Sequence, residues 1–436
     1  MPGPRLKAFA EKVFQQALSA ADPERSVREA LQLTERFLVV RGVPHRLEPT
    51  SQLVVIALGK AAASMARGAL AVLGGRVTRC VVVPKADGWS DRAFAGCRVI
   101  PGAHPVPDAR SLEAGQALLD AVRGLHSTDL VLVLLSGGGS ALAEVPRESL
   151  ALDELVLTTD ELLRAGADIW LLNAVRRRLS AIKGGGLARA AAPARVVNLI
   201  VSDVLGNPLP VIASGPTVEP TTICEDVVGA VQRLGVWARL PERVRAILSE
   251  PESERVVLAN VLQTVILADV TVLVRAAAEA CQAWGLPSVI CGTRYTGEAR
   301  EFGRFWAALA RSVRSDRQPW APPVALVAGG ELTVTVRGGG RGGRNTEMAL
   351  AAAMSLEDAP GITIASFASD GDDGTSGAAG AVVDATTVAA LRAQGIDAGR
   401  ALSENDSATV LDRVDALVRT GLTGTNVNDL YLAIVE

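Results

Sequence analysis

The sequence predicts an α/β protein of two domains, each built from strands alternating with helices, the first around a parallel sheet. Three observations carry that expectation. Short β-branched runs alternate with Ala-rich helical patterns, the mark of parallel strands joined by crossover helices. The 436 residues exceed one ordinary core, at roughly 150 residues per domain. A charged, proline-punctuated stretch, Pro241–Glu254, then separates expected domains over 1–240 and 255–436.

Taken in order, Leu6, Phe9, Val13 and Leu18 interleave with Lys7, Glu11, Lys12 and Gln15. That is an amphipathic helix without the apolar centre of a secretory signal. Leu53–Leu58 reads as a buried strand ending at Gly59-Lys60 and followed by a helix over Ala61–Leu73. Val77–Val83, Leu130–Leu135 and Val196–Val201 read as further strands, ending at Pro84-Lys85, Ser136–Ser140 and Ser202-Asp203. Ligands of open α/β sheets bind beyond the carboxyl ends of the strands, so these four turns are expected to line one crevice. In the second half, strands are expected at Val265–Ala268, Ser288–Cys291, Ala325–Ala328, Leu332–Val336, Ile362–Ala368 and Asp429–Val435, with helices at Leu273–Trp284, Asn345–Met354 and Asp412–Arg419.

Composition excludes several classes. Forty-four basic and 47 acidic residues leave a net charge of −3, too balanced to call for a nucleic acid or an anionic membrane. Aromatics at 3% leave few platforms for base stacking. Despite a mean hydropathy of +0.27, the apolar runs are too short to span a bilayer, and the most hydrophobic window, Val256–Val274, is broken by Asn260, Gln263 and Asp269. Five scattered cysteines without metal or redox-pair spacing read as reduced thiols of a cytoplasmic protein. Only five of the basic residues are lysines, Lys7, Lys12, Lys60, Lys85 and Lys183. Lys60 and Lys183 sit in glycine turns, where a compact ammonium differs most from a guanidinium fork.

Five segments carry chemistry. Ser136, Gly137, Gly138, Gly139 and Ser140 follow a buried strand, and such a run lets backbone N–H groups curl round a phosphate. Along Asn173–Leu187, Asn173, Arg176, Arg177 and Ser180 share helical spacing, with Lys183 at the end. This face presents anion contacts to the crevice, or it is an ordinary basic helix C-terminus capped by glycine. Asp203, at a strand end, suits Mg²⁺ beside phosphates or merely caps a turn. Gly338–Arg344 formally contains G-x-G-x-x-G, but an anion loop presenting Arg341 and Arg344 at a helix start is the better reading. Asp370, Asp372 and Asp373 form a last acidic loop, either facing the crevice or solvated.

With ALGKAAASMA (57–66), GAHPVPD (102–108), LLSGGGSAL, NAVRRRLSAIKGGGLA, SDVLGNP, IASGPT, GGELTV, GGRNTEMAL, SDGDDGTSGAAGAVVD and TGTNVND in this order, the chain resembles the glycerate 2-kinases of the MOFRL-domain type. Asn207, Thr346, Ser369 and Leu422 depart from that family's usual residues. The resemblance implies ATP and Mg²⁺ as cofactors, D-glycerate as the small-molecule substrate, and an active site in the cleft between a Rossmann-like three-layer N-terminal domain and a smaller α/β C-terminal MOFRL domain. It implies Lys60 and Arg344 as the catalytic pair, neutralising the transferred phosphoryl group from opposite domains. Phosphates are expected on Ser136–Ser140, Lys183 and Gly330, glycerate on Asn173 and Arg176 or on Lys183, and Mg²⁺ on Asp203 with Glu331 or Asp373. No nucleic acid or membrane partner is expected, and a homodimer is left open. The rival expectation is a hydroxypyruvate reductase using NAD(P)H, for which the glycine pattern at Gly338–Gly343 is the only support.

Overall fold

A computed structural model describes residues 4–86, 94–147, 150–219, 226–251 and 257–436. It divides into two compact units, Pro23–Leu267, and Met1–Asp22 together with Ala268–Glu436.

In the first unit a small antiparallel sheet, β1 (Leu31–Leu33), β2 (Phe37–Val40) and β3 (Val43–Arg46), precedes the main sheet. The main strands are β4 (Leu53–Leu58), β5 (Arg79–Val83), β6 (Arg98–Val99), β7 (Leu130–Ser136), β8 (Arg195–Val201) and β9 (Val261–Ala268). Every residue of β4 and β7 is buried, as a parallel sheet covered on both faces requires. Val54, Ile56 and Leu58 pack with Ala114, Ala117 and Leu118 of the helix Ala109–Val122. The helix Ala62–Leu73 packs against β4, β5 and β7 as well. The spatial order is β6-β5-β4-β7-β8-β9, so the chain reverses direction across the sheet beside β4, the place where such sheets bind ligands. Register sharpens this. Leu58 pairs with Val83 and with Leu135, and Ser136 pairs with Val201. The turns starting at Gly59, Pro84, Ser136 and Ser202 therefore leave the sheet at one level.

The second unit holds β10 (Ser288–Tyr295), β11 (Val324–Gly330), β12 (Ile362–Ala368), β13 (Gly380–Asp384), β14 (Leu417–Val418) and β15 (Asp429–Val435), in the order β10-β11-β15-β12-β13-β14. β10 and β11 are parallel, and β15 runs antiparallel to both β11 and β12. Asp429 at the start of β15 pairs with Gly330 and Ala368 at the ends of its neighbours. The loops that follow β11 and β12 and the loop that precedes β15 thus share one edge.

Several sequence expectations differ from this architecture. β9 is the sixth strand of the first sheet, so that unit runs to Leu267 rather than to 240. The helix Pro4–Ala20 belongs to the second unit, because Phe14 buries its ring at 4.5 Å, stacked, on Phe367 of β12. Of the segment 241–254, Glu242–Ser249 is a helix and residues 252–254 lie outside the described residues. Leu332–Val336 is irregular apart from one bridge, Thr333 to Glu298. The helix expected over Asp412–Arg419 lies earlier, at Ser407–Arg413, and is followed by β14. Cys80 and Cys97 are joined as a disulfide, against the reading of reduced thiols, while Cys281 and Cys291 are free and Cys224 lies outside the described residues. Among the described residues no helix is long and apolar enough to cross a membrane.

Candidate active site

In the first unit the turns after β4 and β7 are built on each other. The Lys60 N–H donates to Gly137 O at 2.9 Å and the Ala61 N–H to Ser136 Oγ at 2.9 Å. Gly59, with φ +127°, lies so close to Ser136 that a Cβ would strike its hydroxyl, so only glycine satisfies both the space and the left-handed backbone. Gly138 (φ +81°) starts the turn Gly139–Leu142, and the open side of its Cα is bordered by His104 and Lys60, whose Cδ2 and Cγ would lie 3.1 and 3.2 Å from a Cβ there. A Cβ on Gly137 would run into the Asp203 carboxylate. The expected convergence is therefore real: Lys60, Ser136–Gly139 and Asp203 meet at the reversal point of the sheet, with Lys60 exposed.

Ser140 extends the site inward. Its Oγ is 2.7 Å from Ser214 Oγ, which donates to Asn173 Oδ1 at 2.8 Å. Asn173 is buried, and its Nδ2 has no hydrogen-bond partner among the described residues. Ala213 and Ser214 hold φ of +49° and +59°, strained for non-glycine residues. His104, half-buried, is lowered from 6.5 to about 4, first by burial and then by the charges of Lys60 and Lys85. It is a neutral imidazole at ordinary pH.

Lys183 corrects the sequence reading. It is only 2% exposed and paired with the buried Glu144, which also accepts from Ser180 Oγ at 2.5 Å and from the Val145 N–H at 3.0 Å. Burial holds Lys183 below its ordinary value against the pull of Glu144. Its ammonium faces a core carboxylate. Arg176 sits at intermediate exposure, likewise lowered by burial with Glu144 opposing.

The second unit assembles a different cluster at the shared edge of β11, β12 and β15. Arg344, first residue of the helix Arg344–Ser355, donates from Nε to Asp429 Oδ2 at 2.6 Å and from Nη2 to Oδ1 at 2.9 Å. Its Nη1 donates to Glu331 Oε1 at 3.0 Å. Asn428 Nδ2 donates to Glu331 Oε2 at 3.1 Å, and the Tyr431 hydroxyl to Asp429 Oδ2 at 3.2 Å. Burial raises the Asp429 carboxyl against the pull of Arg344. Desolvation alone would lower Arg344, but Asp429 and Glu331 outweigh it and raise it.

Two expectations change here. Asp373 is buried and serves as the cap of the Arg344–Ser355 helix, its Oδ1 accepting from the Asn345 N–H at 2.9 Å and its Oδ2 from the Thr346 N–H and Oγ1, both at 2.8 Å. Both oxygens are engaged, so the position expected to hold Mg²⁺ does structural work instead. The same cap replaces the external anion expected at that helix start. The glycines before it also face protein. Gly338 and Gly340 abut Glu404 and Asp406, Gly343 abuts Asp373, and the N–H groups of Gly338, Arg341 and Gly342 are taken by Asn405, Asp406 and Thr375 side chains. Gly330 is glycine because a Cβ would strike the Tyr295 backbone, a packing requirement between β10 and β11.

A family model described as a domain of unknown function, DUF4147, matches residues 9–249, and the MOFRL family model matches residues 324–429. The chain is 39% identical to a glycerate 2-kinase of Pyrococcus horikoshii, over 99% of this chain and 97% of that one. It is 38% identical to an Agrobacterium vitis protein named a hydroxypyruvate reductase, over 97% of this chain and 93% of that one. The crystal structure of a Thermotoga maritima glycerate kinase superposes with a TM-score of 0.87 at 36% identity, covering 100% of both chains. The chain belongs to the MOFRL-containing glycerate kinase family.

Against that family, two of the departures find a local account. Thr346, through its hydroxyl, caps the helix with Asp373 and also accepts from the Gly343 N–H at 2.9 Å. Asn207 adopts φ +54°, a conformation asparagine tolerates. Sequence reasoning passed over His104, Ser214, Glu144 and Asp429. The GAHPVPD, IASGPT and TGTNVND motifs contain His104, Ser214 and Asp429, whereas Glu144 lies in none of the motifs.

Proposed function

We propose that this chain transfers the γ-phosphoryl group of ATP to the 2-hydroxyl of D-glycerate, giving 2-phosphoglycerate and ADP. The observation that carries this reading is the convergence of Lys60, the Ser136–Ser140 turn and Asp203 at the reversal point of the first sheet. In the reaction the glycerate oxygen attacks Pγ, the bond from Pγ to the β-phosphate oxygen breaks, and the hydroxyl proton leaves. Such transfer asks mainly for positioning and charge neutralisation. Lys60 and Arg344 are the proposed cations, and the Ser136–Ser140 turn holds phosphate oxygens. Mg²⁺, when bound, would neutralise further phosphate charge with Asp203 as its protein ligand, since that carboxylate borders Gly137 of the Ser136–Ser140 turn. Asn173, through its unpartnered buried Nδ2, and Arg176 are the proposed glycerate contacts. A cytoplasmic location, small molecules as partners and a homodimer belong to the same proposal.

A reductase would have to seat a pyrophosphate on the Gly338–Gly343 amides, of which several are already committed to side chains. The deciding assay supplies D-glycerate, ATP and Mg²⁺ and follows product with enolase, which accepts the 2-phosphate and not the 3-isomer. Prompt signal supports the reading. Signal only after phosphoglycerate mutase is added would make the enzyme a 3-kinase, and silence in both with NAD(P)H oxidation by hydroxypyruvate would establish the reductase.

A further inference from the structure

Asp429 is wholly buried at the start of the central strand β15, opposite Gly330 and Ala368. Stability is a poor explanation for a charge there, since replacing a buried ion pair by apolar side chains is often neutral or stabilising. Its geometry offers a better one. Both carboxylate oxygens meet Arg344 fork to fork, at 2.6 and 2.9 Å, and Tyr431 holds Oδ2 from behind at 3.2 Å. A bidentate pair fixes the plane of a guanidinium and leaves its remaining N–H groups along the outer edge. Glu331, the other carboxylate on Arg344, meets it through one oxygen and is 45% exposed, whereas Asp429 grips it through both and is at 0%.

We propose that Asp429 is the positioning residue of Arg344, setting the plane in which the guanidinium meets the transferred phosphoryl group. The inference rests on the reading of Arg344 as a catalytic cation. Tyr431 supports the same arrangement one step further back.

The test compares Asp429→Asn, Arg344→Ala and the double variant, by kcat, by KM for both substrates, and by thermal unfolding. Asp429→Asn should lower kcat about 30-fold, with both KM values within about twofold, the size expected for misplacing a charge at the reacting group. The double variant should match Arg344→Ala alone, because nothing remains to be positioned. Guanidinium chloride should restore part of the Arg344→Ala turnover, and less of it once Asp429→Asn is added. Turnover of Asp429→Asn within about threefold of wild type, or an equal further fall in the Arg344→Ala background, overturns the proposal. Wild-type turnover of Arg344→Ala would instead remove Arg344 from the mechanism. If Asp429→Asn does not fold, Tyr431→Phe replaces it in the same comparison, with an expected loss in kcat of about threefold; an unchanged kcat overturns the proposal.

Discussion

Lys60 and Lys183 lie in the same unit, each beside glycine, in a chain with only five lysines. Lys60 is exposed at the reversal point of the sheet, level with the Ser136–Ser140 turn and beside His104. Lys183 is sealed at 2% exposure against Glu144. A glycine neighbour therefore does not tell an exposed ammonium from a buried, ion-paired one. The difference lies in what the backbone around each lysine is bonded to. The Lys60 amide reaches across to Gly137 of another strand-end turn, whereas the Lys183–Gly186 turn is stitched to the Ser214–Pro216 loop through the Gly184, Gly185 and Leu187 N–H groups.

Breaking the buried lysine should have the largest effect. Lys183→Met leaves the Glu144 charge uncompensated and should cost about 3–5 kcal/mol in urea unfolding, with Lys183→Met/Glu144→Leu recovering much of it. A loss below about 1 kcal/mol would return Lys183 to the ligand-facing class. Lys60→Met should do the reverse, lowering turnover at least about 10²-fold while the unfolding midpoint stays put. A folded Lys60→Met enzyme with wild-type turnover would erase the contrast. Gly137→Ala tests the floor of the same site: its methyl group would push the Asp203 carboxylate aside, and turnover should fall about 10-fold. Unchanged turnover would show that the Asp203 position is immaterial.

The smallest effect concerns His104. Its folded value, about 4, lies below the ordinary 6.5, so the unfolded chain binds the proton first. The stability it contributes is fully present above pH 6.5 and is lost as pH falls from there toward 4. His104→Gln should make the decline in unfolding free energy over that window shallower, by a modest amount because the ring is half-exposed. A steeper decline in the variant would contradict the neutral imidazole beside Lys60.

Glycine-rich loops were legible to unequal degrees. Both Ser136–Ser140 and Gly338–Gly343 read as anion loops, yet the first is bordered by Lys60, His104 and Asp203 while the second is filled by Glu404, Asp406 and Asp373. The first follows a fully buried strand whose end the register holds beside β4. The second follows the irregular 332–336 segment, so no sheet presents its amides outward. The alternating pattern of Leu332–Val336 misled because alternation reports one buried side, not a strand partner.

By itself the sequence determined the strands β4, β7, β8, β12 and β15 to within a residue or so, and with them the turns at Gly59-Lys60, Ser136–Ser140 and Asp203. Local hydrophobic runs and their glycine or polar stops encode such features, because a strand buried on both faces, parallel or antiparallel, reads as a short continuous apolar run. Only the tertiary structure decided that β9 completes the first sheet, that Asp373 caps a helix, that Lys183 meets Glu144, and that Arg344 is gripped by Asp429, 85 residues away. The physical reason is common to all four. A buried charge or an unpaired strand edge must find a partner, and the partner is set by which chain segments the packed sheets bring together, not by neighbours in sequence.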